Sequence, residues 1–281
     1  MEFISASGED RYAAVVRAAG DTVIGLDLDG TLSPIVDDPT QARIHPDASE
    51  VLIDLADQVA AIAIITGRPA RQALALADLD DLGEAIGERG KELHVFGQYG
   101  NERWSSRSRR IVSPRPPSGL GSFLAELPAL LRRADAADAY VEEKGLAVAV
   151  HTRRLAEPQA TFERLLTPIS ELAAANGLGI EPGRSVIEVR APGTHKGDAV
   201  HTIAGEVGAR GFLFAGDDLG DLEAFSAVDD LRREGLATLL VCSSCDEHDA
   251  LMRRADVAVE GPVGVLALLR QLTADARATR L

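Results

Sequence analysis

Asp27 and Asp29 stand two apart in the stretch VIGLDLDGTLSPIVDD (23–38), where an apolar run gives way to Gly30-Thr31. Alternate residues of a strand point to opposite faces, and this acidic pair falls where the strand is ending. A buried carboxylate is costly unless a metal or a positive partner binds it. The pair therefore reads either as a solvated acidic turn or as a metal-assisted phosphoryl-transfer site.

Other residues of the right chemistry lie in comparable places. Thr66 closes the run AIAIITGR, Asp217 and Asp218 follow GFLFAG, and Asp221 lies four residues beyond Asp217. Lys196 opens the helix expected before that last strand. In open α/β sheets ligands bind outside the carboxyl ends of the strands, which is where these residues fall. Each type suits phosphate-ester hydrolysis. A carboxylate attacks phosphorus and splits one hard displacement into two easier ones. A second carboxyl protonates the leaving oxygen and then takes a proton from water. Magnesium takes oxygen ligands, so two carboxylates and a carbonyl suffice. A threonine hydroxyl and a lysine ammonium hold phosphate oxygens as charge shifts. A DxDGT match in a given window arises by chance on the order of 10⁻⁵ of the time, whereas Asp218 or Asp221 alone is as readily a helix N-terminal acid.

These residues need elements to carry them. Short apolar runs alternate with amphipathic ones, the pattern of strands feeding helices in a parallel sheet. Strands are expected at 23–28, in AIAIITGR (61–68) ending at Thr66-Gly67-Arg68, in LHVFGQYG (93–100) ending in a turn, and at 211–216, 237–241 and 257–259. Helices are expected at 47–59 with Asp47 as N-cap, after Pro69, from about His195, from Leu219, at 247–254 and at the end of the chain. Between about 105 and 191 the rhythm changes. A Ser-, Pro- and Arg-rich connection precedes a helix at 120–133, two strands at 139–143 and 146–152 joined by a Lys144-Gly145 hairpin turn, a helix at 158–176 and a strand at 185–191. The reading is an α/β core of 1–105 and 192–281 interrupted by an α+β module at 106–191.

The 281 residues are 46% apolar and 26% charged, with a formal net charge of −15. An acidic chain lacks the basic footprint that nucleic acid or an anionic membrane surface requires, so neither is expected as a partner. No apolar run reaches the length of a membrane span and no basic-then-apolar leader is read, so a cytoplasmic location is expected. Cys242 and Cys245 form a single CxxC, which with His248 lacks a fourth zinc ligand and reads as thiols after a buried strand, with a redox role as the alternative.

In its motifs D27-L-D29-G-T31, T66-G-R68, K196 and G216-D217-D218-L-G-D221 the chain resembles the haloacid-dehalogenase superfamily of phosphatases. The module between the second and third motifs resembles that superfamily's C2-type cap on a Rossmann-like core. Within the superfamily the stretches LDLDGTLSPIVDDP, GQYGNERW, VEEKGLAVAVHTRR, GRSVIEVRAPGTHKGDAV and FLFAGDDLGDLEAF are most similar to trehalose-6-phosphate phosphatases. The resemblance implies Asp27 as nucleophile, Asp29 as acid and base, Thr66 and Lys196 on phosphate, and Mg²⁺ held by Asp27, the Asp29 carbonyl and Asp217. Asp218 and Asp221 would support the metal or Lys196. It further implies that Glu142, Lys144 and Glu188 grip sugar hydroxyls of a small sugar-phosphate substrate, and Arg103 is placed with them, while Arg153 and Arg190 remain further cations near the junction. Read without the resemblance, Glu142 and Lys144 are equally a hairpin edge decorated with charges. Other sugar phosphates, a phosphomutase and a non-catalytic sugar-phosphate sensor stay open as alternatives.

Overall fold

The computed structural model describes residues 1–36, 41–183, 185–243 and 249–280. The chain divides into two units, Met1–Ser113 with His195–Leu281, and Pro114–Thr194. The first unit extends past the expected edge at 105 because Arg103 and Val112 bridge, which ties 106–113 back to the sheet. The second unit ends at Thr194 rather than 191.

The first unit is built on an eight-stranded sheet. In chain order its strands are β1 (Glu2–Phe3), β2 (Thr22–Leu26), β3 (Ala61–Ile65), β4 (Leu93–Gly97), β5 (Glu102–Ser105), then β10 (Gly211–Gly216), β11 (Ala237–Ser243) and β12 (Val257–Val259). Their spatial order is β1-β12-β11-β10-β2-β3-β4-β5. The six central strands are parallel, and β1 and β5 close the edges antiparallel. From β2 the chain winds outward one way through β3 and β4, and later the other way from β10 through β11 and β12. The order reverses between β2 and β10, which makes their carboxyl ends the crevice of this sheet.

Helices cover both faces. They are α1 (Gly8–Arg17), α2 (Ala48–Ala56), α3 (Ala70–Leu76), α4 (Leu79–Glu88), α7 (Lys196–Val207), α8 (Leu222–Arg233), α9 (Asp249–Met252) and α10 (Gly261–Thr279). Alternation along the strands separates two cores. Ile24, Leu26, Ile62 and Ile64 pack with Val51, Leu55 and Leu269, whereas Val23, Ala63 and Ile65 pack with Ile203, Phe212, Phe214 and Phe225. Strands buried on both faces read as unbroken apolar runs, which is why β2, β3, β10 and β11 were legible. At Gly25 a side chain would meet the rings of Phe212 and Phe214 at 2.9 Å, so glycine lets these large residues close the second core.

Several expectations change. Asp47 occupies the N-cap position of α2 but makes no capping bond; its carboxylate accepts from Arg270 at 2.6 Å instead. The helix expected from Leu219 begins as a 3-10 turn, Leu219–Asp221, before α8. The helix expected at 247–254 is α9, and the part of that expectation at 247–248 lies outside the described residues, as do Cys245 and His248. Cys242 is buried. β1, β5, α1 and α4 were not anticipated, the first two because edge strands this short carry no lasting alternation.

Asp256 fastens the N-terminal segment to the sheet. Fully buried, its carboxylate accepts from Ser5 Oγ, Arg11, Arg232 Nη2 at 2.8 Å and the backbone N–H of Leu240 at 3.0 Å, and its carbonyl accepts from the N–H of Ile4. Asp256→Ala strands two cations and an amide, and is expected to lower the unfolding free energy by about 3 kcal/mol. Urea titration checks this, and an unchanged midpoint would show that the network contributes nothing net.

The second unit carries α5 (Leu120–Arg133), β6 (Tyr140–Glu143), β7 (Ala147–His151), α6 (Pro158–Ala175), β8 (Gly179–Gly183) and β9 (Val186–Arg190). Its antiparallel sheet runs β6-β7-β9-β8. Lys144-Gly145 turns β6 into β7, with Gly145 at φ +83 and the Lys144 N–H on the Ala147 carbonyl. Val148, Val150, Ile187 and Val189 pack under Phe123, Leu127, Leu165 and Ile169 of the two helices. Strand β8 was not anticipated, since Gly179, Pro182 and Gly183 obscure any alternation.

Candidate active site

The register of the sheet brings the acidic motifs together. Leu26 pairs with Ala215 on one side and Ile64 on the other, so Asp27 is level with Gly216, and Leu28 is level with Asp217 and Thr66. The Asp27 N–H continues the ladder onto the Ala215 carbonyl at 2.9 Å. Asp27, Asp217 and Asp221 each offer a carboxylate oxygen within 4.8 Å of the others, and all three are buried. Lys196, at the start of α7 and 4% exposed, donates to Asp27 Oδ1 at 2.6 Å and to Asp221 Oδ1 at 2.7 Å.

Three carboxylates thus lie together in a buried site where the Lys196 ammonium bonds two of them, so three negative charges face that one bonded cation when all are ionised. Burial raises the Asp27 carboxyl well above the ordinary range; Lys196 opposes this, and Asp221 and Asp217 add to it. Burial and then Asp218 and Asp221 push Asp217 up to about 8, and burial lifts Asp221 to about 6 against the pull of Lys196. Burial alone would lower Lys196, yet the Asp221 and Asp27 carboxylates outweigh it and hold the ammonium above its usual value. The donor set is all hard oxygen and carries two negative charges in excess of Lys196 when ionised, which fits a divalent cation of the magnesium or calcium type.

Asp29 does not bring its carboxylate into this cluster. Arg68 grips it with both arms of the guanidinium, Nε to Oδ2 at 2.6 Å and Nη2 to Oδ1 at 2.7 Å. Sequence alone assigns Arg68 no role beyond its place in the T66-G-R68 motif; its position two residues after Thr66, at the carboxyl end of β3, is the signal that identifies it. Thr66 is buried at the end of β3, its hydroxyl accepting from the Arg68 N–H and its carbonyl from the N–H of Tyr99. Asp221 is engaged more deeply than a supporting role suggests, since its Oδ2 also accepts from the N–H groups of Asp217 and Asp218. Asp218 is exposed, and its carboxylate caps the 3-10 turn through the Gly220 N–H at 2.9 Å. The Thr31 hydroxyl is buried without a hydrogen-bond partner.

Of the residues expected to meet a sugar, Glu142 and Glu188 share one face of the second unit's sheet, and Lys144 follows β6. Glu142 pairs with Ala149, Ala149 with Glu188, and Glu188 with Glu181, a row of three glutamates across the small alanine. Lys144 Nζ donates to Glu188 Oε2 at 2.5 Å, and Glu142 Oε2 lies 3.0 Å from His151 Nε2. Glu188 is 5% exposed, and its Oε1 is buried without a hydrogen-bond partner. Arg190 approaches that oxygen at 3.9 Å and bonds Glu181 and the Thr194 carbonyl. Arg103 belongs to the other unit, on β5, where it pairs with Glu206 over the Phe96 ring.

A family model described as Trehalose-phosphatase matches residues 25–257. The chain is 33% identical over 261 residues to an uncharacterized glycosyl hydrolase of Mycobacterium tuberculosis (strain ATCC 25618 / H37Rv), covering 89% of this chain and 18% of that protein. It therefore spans only a small part of that relative. A probable trehalose-phosphate phosphatase of Sinorhizobium fredii (strain NBRC 101917 / NGR234) is 28% identical over 230 residues, with 81% of each chain covered. The crystal structure of a trehalose-6-phosphate phosphatase related protein matches at a TM-score of 0.65 and 25% identity, over 90% of this chain and 97% of that one.

Proposed function

This chain belongs to the trehalose-phosphatase family, and on that premise we propose that it hydrolyses trehalose 6-phosphate to trehalose and phosphate. The observation that carries the reading is the buried cluster in which Lys196 holds Oδ1 of Asp27 beside Asp217 and Asp221. Lys196 leaves Asp27 Oδ2 as the attacking oxygen. Asp27 forms a bond to phosphorus while the bond from phosphorus to the sugar oxygen breaks, and Asp29 gives that oxygen its proton. Asp29 then takes a proton from water as the water attacks phosphorus, releasing phosphate and restoring the Asp27 carboxylate. Lys196 and Thr66 steady the phosphoryl oxygens throughout. Asp27, Asp217 and the Asp29 carbonyl would hold Mg²⁺, with Asp221 in the same cluster. When bound, the ion offsets the charge of the phosphoryl group and of the carboxylates.

The test is phosphate release from trehalose 6-phosphate, sucrose 6-phosphate and glucose 6-phosphate, in chelator and with Mg²⁺ restored. Selective, Mg²⁺-dependent release from the first supports the proposal. Preference for another sugar phosphate sinks the substrate, and full activity in chelator sinks the metal. Asp217→Ala removes one hard ligand and is expected to raise the Mg²⁺ concentration for half-maximal rate about tenfold to a hundredfold. A metal titration of the variant checks this, and an unchanged midpoint would take Asp217 out of the metal set.

For the sugar, the support is Glu188, whose buried oxygen lacks a hydrogen-bond donor beside Lys144. A sugar hydroxyl is such a donor. Hydrogen bonds to charged groups contribute about 1.5–3 kcal/mol. Glu142→Ala, Lys144→Ala or Glu188→Ala is therefore expected to lower kcat/KM for trehalose 6-phosphate roughly tenfold to a hundredfold. Hydrolysis of p-nitrophenyl phosphate, an aryl ester with no sugar, should barely change. If the ratio of the two activities is the same in all three variants as in the wild type, these residues take no part in recognition.

A further inference from the structure

We propose that Ser243 is a positioning residue for the turn that carries Asp29, acting from a strand that holds none of the catalytic groups. The inference rests on the magnesium-dependent phosphatase reading above. Ser243 is the last residue of β11 and is fully buried. Cys242 pairs with Gly216, so Ser243 is level with Asp217 across the sheet. Its hydroxyl donates to the carbonyl of Gly30 at 2.7 Å, a contact between residues 213 apart in sequence.

Gly30 sits between two constraints. Its φ is +76, and a Cβ there would lie 2.0 Å from Asp217 Oδ2, so the backbone passes directly against the cluster carboxylate. Its N–H donates to the Ser33 carbonyl at 2.7 Å and its carbonyl accepts from Ser243. Both backbone polar groups of Gly30, one in each of the two peptide groups that meet at its Cα, are therefore fixed, one by the turn itself and one by a distant strand. The Asp29 carbonyl, proposed for Mg²⁺, belongs to the peptide group that supplies the Gly30 N–H. A tilt of Gly30 moves that carbonyl and the Asp29 side chain together, and shifts the backbone against Asp217. Ser243 holds that tilt.

The experiment uses the full chain with Ser243→Ala, Ser243→Cys and Ser243→Thr. Cysteine preserves volume with only a weak donor, and threonine preserves the hydroxyl. Mg²⁺ affinity is read by calorimetric titration, kcat and KM with trehalose 6-phosphate and p-nitrophenyl phosphate, and folding by thermal melting, all assays being run below the melting range. In the Ala and Cys variants Mg²⁺ affinity is expected to fall about tenfold, with kcat falling about as much for both substrates. KM for trehalose 6-phosphate should stay close to wild type, and Thr should recover most of both losses. Wild-type Mg²⁺ affinity and kcat in the Cys variant overturn the proposal, as does a Thr variant as impaired as Ala. Loss of the folded state in both Ala and Cys also overturns it, by making the hydroxyl a stability element alone. A wild-type chain that binds Mg²⁺ but hydrolyses neither substrate defeats the phosphatase reading instead, and the calorimetric comparison still judges Ser243.

Discussion

Asp27→Asn is expected to lower turnover of every phosphate ester by roughly 10³-fold or more while the protein stays folded. The amide keeps the shape of the side chain and can still accept from Lys196 through its oxygen, which in the wild type is the 2.6 Å contact. It is a poor nucleophile toward phosphorus, so the first covalent step fails whatever the leaving group. Rapid-quench assays with labelled substrate read this directly: label should enter the wild-type protein and not the variant, and circular dichroism should match. Retention of more than a few per cent of wild-type phosphate release would show that Asp27 does not form the covalent bond.

Asp29→Asn should be nearly as severe for the sugar phosphate and much milder, in the first step, for an activated aryl phosphate. A sugar alkoxide is a poor leaving group that needs its proton, and general acid–base assistance contributes about 10²–10⁴-fold. An aryl oxide leaves without help. With the aryl ester the variant should therefore complete phosphoryl transfer to Asp27 and stall, because no base then deprotonates water. The expected trace is a burst of aryl alcohol near one equivalent followed by a slow phase. Equal slowing of the burst with both esters would remove Asp29 from the proton-transfer role. The Arg68 fork on both oxygens of Asp29 bears on the same experiment, since it favours the ionised carboxylate and has to loosen at one oxygen for Asp29 to carry the proton it delivers.

The chemistry-bearing residues were legible because they follow strands that are themselves legible. Apolar runs such as 61–65 and 211–216 are buried on both faces, so local composition declares them and whatever follows is placed at the carboxyl edge. Asp27, Thr66 and Asp217 were legible on that ground and Lys196 as the opening residue of the helix before β10, while the alternation of runs and its break between about 105 and 191 declared the fold and its interruption by a second unit. The hairpin at Lys144-Gly145 was equally local, a turn between two β-rich runs. Pairings were another matter. That Arg68 holds Asp29, that Asp221 joins Asp27 and Asp217 in one cluster, and that Ser243 reaches Gly30 depend on strand order and register, and that Asp47 meets Arg270 instead of capping its helix depends on the packing of α10 against α2. Residue type and spacing establish that a carboxylate or a hydroxyl is present at a strand end. Which partner it meets is decided when strands far apart in sequence are set side by side, because a hydrogen bond acts over about 3 Å and the chain carries no local mark of what will lie that close.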